Sequence, residues 1–241
     1  MRAFRAQARA EIAMTLRRGE SVLLTIAIPV GLLVFFSLVD VLPIDGGREG
    51  RVAFLVPGVL ALAVMSTAMV SLAIATGFER SYGVLKRLGT TPLGRPALIA
   101  AKTAGVVAVE VLQVVVLVAV GAALGWRPDG TAAAALAAVL LATIGFAGLG
   151  LLMAGRLEAL VTLAAANAVY LVLLLMGGMV IPLTRLPSVM RSVSRALPSG
   201  ALSDGLHAAF TGAAVPGRVW LVLVTWAVLA PAAAAVTFRW E

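Results

Sequence analysis

Apolar residues fall in long, nearly uninterrupted blocks along this chain, and polar residues collect in the short stretches between the blocks. A transmembrane α-helix needs about 20 apolar residues to cross a hydrocarbon core of about 30 Å. Six blocks meet this requirement. We therefore predict six transmembrane helices, at residues 21–41, 52–76, 96–124, 131–154, 157–181 and 219–238.

Residues 1–20 show a different, amphipathic pattern. Arg2, Arg5 and Arg9 are spaced three and four apart and share one helical face. The neighbouring face carries the apolar residues Phe4, Ala8, Ile12 and Leu16. This pattern predicts an interfacial helix with its arginines toward lipid phosphates. The alternative is an ordinary basic flank that anchors the first span.

Two longer polar segments interrupt the blocks. The first, at 77–95, contains an amphipathic stretch at 79–88 that predicts one short helix, with Tyr82, Leu85 and Leu88 on one side. Pro92 then ends the helix in a turn. Taken alone, this segment also fits a plain connecting loop with a snorkelling basic cluster.

The second segment, 182–218, alternates apolar and polar residues between four prolines: Pro182, Pro187, Pro198 and Pro216. It is too polar to span a membrane and too apolar for a free loop. We predict short helices that lie on the outer leaflet or dip into it.

Composition supports a single membrane domain over residues 1–241, because 61% of the residues are hydrophobic, only 12% are charged, and mean hydropathy is +1.06. The absence of cysteine excludes disulfides, thiolate nucleophiles and cysteine metal sites, and the single histidine, His207, argues against a histidine-based metal site or catalytic triad. The net charge of +8 could indicate nucleic acid. Arginines that flank the spans and meet anionic headgroups explain it better, so we expect no nucleic-acid partner.

The distribution of basic residues predicts the orientation of the chain. With both termini in the cytosol, 12 of the 19 lysines and arginines lie on the cytosolic side. This bias favours cytosolic termini. The basic residues of segment 182–218 run against it, because they would lie outside.

Four polar residues within the predicted spans are candidates for a transport pathway: Glu110, Gln113, Asn167 and Tyr170. Glu110 and Gln113 are three apart and share a helical face. A carboxyl group in hydrocarbon is costly, so it faces a partner or a water-filled path. The alternative for Glu110 is packing, protonated or hydrogen-bonded between helices. For Asn167 and Tyr170, hydrogen bonds between helices are the favoured alternative.

Small residues recur in the fourth span at Thr143, Ala147, Gly150 and Ala154. This spacing allows close helix approach, and we expect it to serve packing within the bundle rather than a dimer seam.

No phosphate-binding loop of the G-x-x-x-x-G-K-[ST] type occurs in the sequence, so work by this protein would draw on an ion gradient or another subunit. Against that background, the run ERSYGVLKRLGTTPL at 79–93 closely resembles the segment between spans two and three of ABC-2-type transporter permeases. The run MGG at 176–178 and the prolines that follow it resemble the stretch after span five in the same family.

The resemblance implies an all-α membrane subunit of a bacterial exporter, similar to drug- and antibiotic-resistance transporters. In that family two permeases pair with two ATP-binding subunits in the plasma membrane, and ATP and Mg bind to those partners. The resemblance also implies that segment 77–95 is a coupling helix that docks on the ATPase. Its candidate contact residues are Glu79, Arg80, Tyr82, Gly83, Leu85, Lys86, Leu88, Thr91 and Pro92.

The expected activity is therefore efflux of a hydrophobic or amphipathic small molecule, with a homodimer as the expected assembly. Two other classes remain open. One is a proton-coupled secondary transporter that uses Glu110. The other is a membrane scaffold or immunity protein that transports nothing.

Overall fold

The computed structural model describes residues 2–17, 19–39, 44, 46–179 and 187–239. Over these residues the regular structure is entirely helical. The helices are α1 Arg2–Arg17, α2 Gly19–Leu38, α3 Gly47–Met65, α4 Leu72–Ser81, α5 Val84–Gly89, α6 Arg95–Ala123, α7 Ala132–Ala154, α8 Ala159–Met176, α9 Ser188–Ala196, α10 Pro198–Phe210 and α11 Gly217–Thr237. A π-helical turn, Ser66–Ser71, joins α3 to α4 without a break in the helix.

Five helices in the described part of the chain are long and apolar enough to cross a membrane. They are the continuous 35-residue helix Gly47–Ser81 and the helices α6, α7, α8 and α11. The stretch Val22–Leu38 of α2 qualifies only together with Phe4–Arg17 of α1, across a bend of 62°. The chain is therefore a multi-pass membrane protein with five or six spans, and the count of six depends on this bent pair.

The amphipathic helix α1 packs along α6 within the protein. The contact is close at Gly105, where a Cβ atom would lie 3.4 Å from both Glu11 Cβ and Thr15 Oγ1. Glu11 is buried in this contact, whereas Phe4 and Leu16 of the predicted apolar face are exposed. Protein packing thus uses a more polar face of α1 than the amphipathic pattern indicated.

The helix α7 lies at the centre of the bundle and contacts α3, α4, α6, α8, α10 and α11. Its small residues permit this: Thr143, Ala147 and Ala154 are completely buried. A Cβ atom on Gly150 would come within 2.6 Å of Met69 O in the π-helical turn. The expectation that these small residues serve packing inside the bundle is confirmed.

Segment 182–218 forms two short helices where the structure describes it, and its first residues, 182–186, lie outside the described part. Pro187 and Pro198 stand at the starts of α9 and α10. The helix α10 packs on α3 and α7. Nε2 of His207 in α10 lies 3.0 Å from Phe54 O of α3, and burial lowers the pKa of this histidine. The prediction of short helices in this segment is confirmed for the described residues. Their position at the outer leaflet stays a prediction.

Candidate functional site

The polar segment after α4 changes direction at Gly83. The helix α4 ends at Ser81, and α5 begins at Val84. Gly83 has φ +73°, a left-handed conformation that glycine adopts without steric cost. The prediction of one helix over 79–88 is therefore wrong, since the chain forms two helices separated by a turn. As a result Tyr82 leaves the predicted apolar side and is 74% exposed.

Leu85 anchors α5 to the rest of the protein. Its side chain is completely buried in a cluster with Leu93, Leu98 and Phe238, and Leu88 packs against this cluster. Phe238 follows the end of α11, and Arg239 N donates a hydrogen bond of 3.1 Å to Gly155 O after α7. The segment is therefore held against the ends of α6, α7 and α11.

Glu79 faces inward and takes part in a three-residue ionic cluster. Lys102 Nζ of α6 lies 2.5 Å from Glu79 Oε2 and 3.2 Å from Glu11 Oε1 of α1. Gln7 Nε2 also donates to Glu11 Oε1 at 2.9 Å. The Lys102 side chain is almost entirely buried. A buried ammonium group needs such partners, because an unpaired charge away from water is strongly unfavourable.

Arg80 links the same segment to the connection between α7 and α8, where its Nη2 donates to Leu157 O. Beside this contact lies an open groove of about 450 Å³, lined by residues of the α4 end and the α8 start, including Ser81 and Glu158. Glu79, Arg80 and Leu85 thus each join the segment to a different part of the chain.

The predicted coupling residues therefore divide into two groups. Glu79, Arg80, Leu85 and Leu88 make contacts inside the protein, and Gly83 forms the turn. The other four predicted residues, Tyr82, Lys86, Thr91 and Pro92, are exposed. Together with their exposed neighbours Val84, Arg87 and Thr90, they form the outward surface of α5 and of the turns at either end of it. We call these seven residues the docking surface. Its contact with an ATPase stays a prediction.

Glu110 is buried between α6 and α7. Thr143 Oγ1 donates to Glu110 Oε2 at 2.6 Å and also lies 2.8 Å from Val139 O of its own helix. Glu110 Oε1 is buried without a hydrogen-bond partner among the described residues. The carboxyl group of Glu110 therefore joins two central helices. It does not pair with Lys102, the basic residue two turns earlier in α6, because that lysine contacts Glu11 and Glu79.

Gln113 lies one turn further along α6 and bridges two other elements. It accepts a hydrogen bond of 3.1 Å from Thr67 Oγ1 in the π-helical turn. Its Nε2 donates to Thr25 O of α2 at 2.9 Å. Glu110 and Gln113 are both buried as expected for one helical face, but their hydrogen bonds connect to different neighbours. Their place in a transport pathway stays a prediction.

Asn167 and Tyr170 of α8 differ in their surroundings. Asn167 is exposed, and its Nδ2 donates to Leu163 O of its own helix at 2.8 Å. Tyr170 is half-buried and packs against the main hydrophobic core. In the part of the chain that the structure describes, the Asn167 hydrogen bond does not reach another helix. The interhelical hydrogen bond expected for Asn167 is therefore not found among the described residues.

Sequence reasoning missed Glu11 and the partners of Lys102. The sequence did indicate that Lys102 has an acidic partner, because a lysine seven residues into a predicted span requires a nearby carboxylate. The sequence could not show which carboxylate, since Glu11 and Glu79 come within reach of Lys102 only in the folded chain.

Comparison with known proteins gives two matches that cover most of the chain. The family model described as ABC-2 type transporter matches residues 2–211. A protein of Bacillus subtilis (strain 168) with the name "Putative transport permease YvfS" is 26% identical over 238 residues. The match covers 95% of this chain and 94% of that protein.

Proposed function

The chain belongs to the ABC-2 type transporter family, and from this membership we propose that it is the permease subunit of an ATP-driven exporter. The observation that carries the proposal is a family match over nearly the whole helical bundle in a sequence without a phosphate-binding loop. Membership implies pairing with an ATP-binding subunit, which supplies the site for ATP and Mg.

We place the contact with the ATPase on the docking surface. This surface presents an exposed aromatic ring at Tyr82 and basic side chains at Lys86 and Arg87. Aromatic and arginine side chains contribute strongly at protein interfaces, and charges set register. An acidic groove on the ATPase would complement them.

Movement of the docking surface would pass into the bundle through three internal contacts. The ionic cluster joins it to α1 and α6, the Leu85 cluster joins it to α11, and Arg80 joins it to the start of α8. Closure of the ATPase pair would displace this segment as one body. The bundle then switches between its two access states by rigid shifts of packed helices.

The proposed cargo is a hydrophobic or amphipathic small molecule that leaves the cytoplasm or the inner leaflet. The proposed assembly has two permeases and two ATPases in a bacterial plasma membrane, with both chain termini in the cytosol. The excess of basic residues on that side supports this orientation.

Co-purification and transport test the proposal. The chain, expressed with its cognate ATPase, should form a complex, and reconstituted vesicles should move the cargo only with ATP. The double variant Tyr82→Ala and Arg87→Glu removes two outward side chains and leaves the ionic cluster, the Leu85 cluster and the Arg80 contact intact. We expect at least about a tenfold loss of ATPase pairing.

The matched control is Arg127→Glu, which makes the same charge change at an exposed position beyond the opposite end of α6. It should pair normally. Equal pairing by the wild type and the double variant would refute the docking surface. Absence of any complex and of ATP-dependent transport would refute the exporter itself.

A further inference from the structure

A cleft of about 500 Å³ opens beside the ionic cluster, between α1, α2, the π-helical turn, α4 and α6. Cavities of this volume are typical of sites for small organic molecules. The cleft extends from the end of the bundle that carries α5 to Thr67 and Thr25, the two residues that Gln113 contacts. The four transport-pathway candidates do not line it, and of the docking surface only Tyr82 does.

The charged groups that line the cleft are Glu11, Glu79 and Lys102. Their exposure is graded, because the side chains of Glu11 and Glu79 are 9% and 18% exposed whereas that of Lys102 is 1% exposed. The lysine is the most buried of the three and is paired with both carboxylates. With all three groups ionised, the cluster carries one net negative charge and presents oxygen atoms to the cleft.

The remaining lining is suited to an amphiphile. Apolar side chains supply most of it, among them Met14, Leu72, Ile74 and Val106. Two aromatic rings, Phe78 and Tyr82, also line the cleft and lie 6.2 Å apart between centroids. Aromatic faces attract organic cations, and the attraction adds to that of a nearby carboxylate.

We propose that this cleft binds a monovalent organic cation with a hydrophobic body. The positive group lies near Glu11 and Glu79, and the apolar part lies against α2, α4 and α6. An anion is disfavoured, because Lys102 is buried and already paired with two carboxylates. The proposal concerns binding by this chain alone and does not depend on export or on the ATPase.

Binding of tetraphenylphosphonium to the purified chain in nanodiscs of neutral lipid tests the site. We expect saturable binding that tetraphenylborate, an anion of nearly the same size, does not displace. The variant Glu11→Gln keeps the shorter contact between Lys102 and Glu79 and makes the cluster neutral. Its dissociation constant should rise about tenfold, because one unit of charge near the ligand is removed from a partly buried cleft.

Two further variants test whether binding depends on the position of the lost charge and on the volume of the cleft. Glu20→Gln makes the same charge change at an exposed position that does not line the cleft, and it should bind like the wild type. Ala75→Phe fills part of the cleft without changing charge and should weaken binding as well. Thermal unfolding of each variant verifies that it is folded.

The proposal is overturned if the wild type shows no saturable binding, or if tetraphenylborate competes as well as the cation. Equal affinities of the wild type, Glu11→Gln and Ala75→Phe would also overturn it. Binding that follows the expected order, together with absence of ATP-driven transport, would support the site and refute the exporter, so the two proposals fail separately.

Discussion

At the scale of single residues, buried charges are placed by tertiary contacts that the sequence does not display. Lys102 and Glu79 are 23 positions apart, and their contact depends on a fold that brings the side chains of α4 within reach of α6. In the sequence analysis, Glu79 was a candidate contact residue of a coupling helix, which would face an ATPase outside the chain. Its contact with Lys102 makes it an inward group, because Glu79 is the closer of the two carboxylates that pair with this buried lysine.

Glu110 gives the first test at this scale. The single hydroxyl proton of Thr143 lies within reach of two acceptors, Glu110 Oε2 and Val139 O. A glutamine at position 110 can donate to the threonine oxygen, so Thr143 can then donate to Val139 O. We therefore expect Glu110→Gln to fold normally and to retain transport within about twofold, measured in reconstituted vesicles.

The control is Glu110→Leu, which removes every polar contact and should lower the melting temperature, because Thr143 loses its partner on α6. The proton-coupled alternative requires that Glu110→Gln lose transport. If Glu110→Gln folds but abolishes transport, and wild-type transport requires a proton gradient, Glu110 carries protons and the packing role is wrong.

At the scale of helices, hydropathy predicts the long elements well. The predicted spans 96–124 and 131–154 correspond to α6 Arg95–Ala123 and α7 Ala132–Ala154. This agreement has a simple cause, since each backbone polar group in hydrocarbon must be paired within its own helix. The apolar length of a segment therefore largely sets the helix.

Irregularities within the helices could not be predicted in the same way. The π-helical turn Ser66–Ser71 has no sequence pattern of its own, and it lies where Gly150 allows α7 to approach Met69. The turn at Gly83 splits a pattern that looks continuous in sequence. These features depend on close contacts with other helices, which hydrophobic periodicity does not record.

The contact between α7 and α11 supports a second prediction. A Cβ atom on Gly148 would lie 2.4 Å from Pro231 N and 2.6 Å from Ala230 C, which are backbone atoms and cannot rotate away. Gly148→Ala should therefore separate the two helices and cost about 1–3 kcal/mol of stability. Thermal unfolding in detergent measures the loss.

Gly31→Ala is the matched control, because Gly31 lies within α2 and a Cβ atom there would meet nothing within 4 Å. This change should leave stability equal or slightly higher, since alanine favours helix over glycine. A wild-type melting temperature for Gly148→Ala would mean that α7 and α11 do not pack as described.

At the scale of the whole molecule, the proposed assembly of two permeases requires a contact surface between them, and we predict that α8 forms it. The helix α8 exposes large apolar side chains, including Leu160, Leu171 and Leu175. Among them Asn167 presents an amide whose described hydrogen bond stays within its own helix. An amide facing lipid is unfavourable. In a twofold dimer with α8 at the seam, the two Asn167 side chains could pair with each other.

The absence of cysteine from the sequence makes this arrangement directly testable. Asn167→Cys introduces a single thiol per chain, and a disulfide forms only where the two Cβ atoms come within about 4.5 Å. We expect mild oxidation of membranes to yield a covalent dimer from Asn167→Cys. Leu221→Cys, on an exposed part of α11, should yield none. The reverse result would place the seam on α11, and Asn167 would then need a different neighbour, such as a water-filled path.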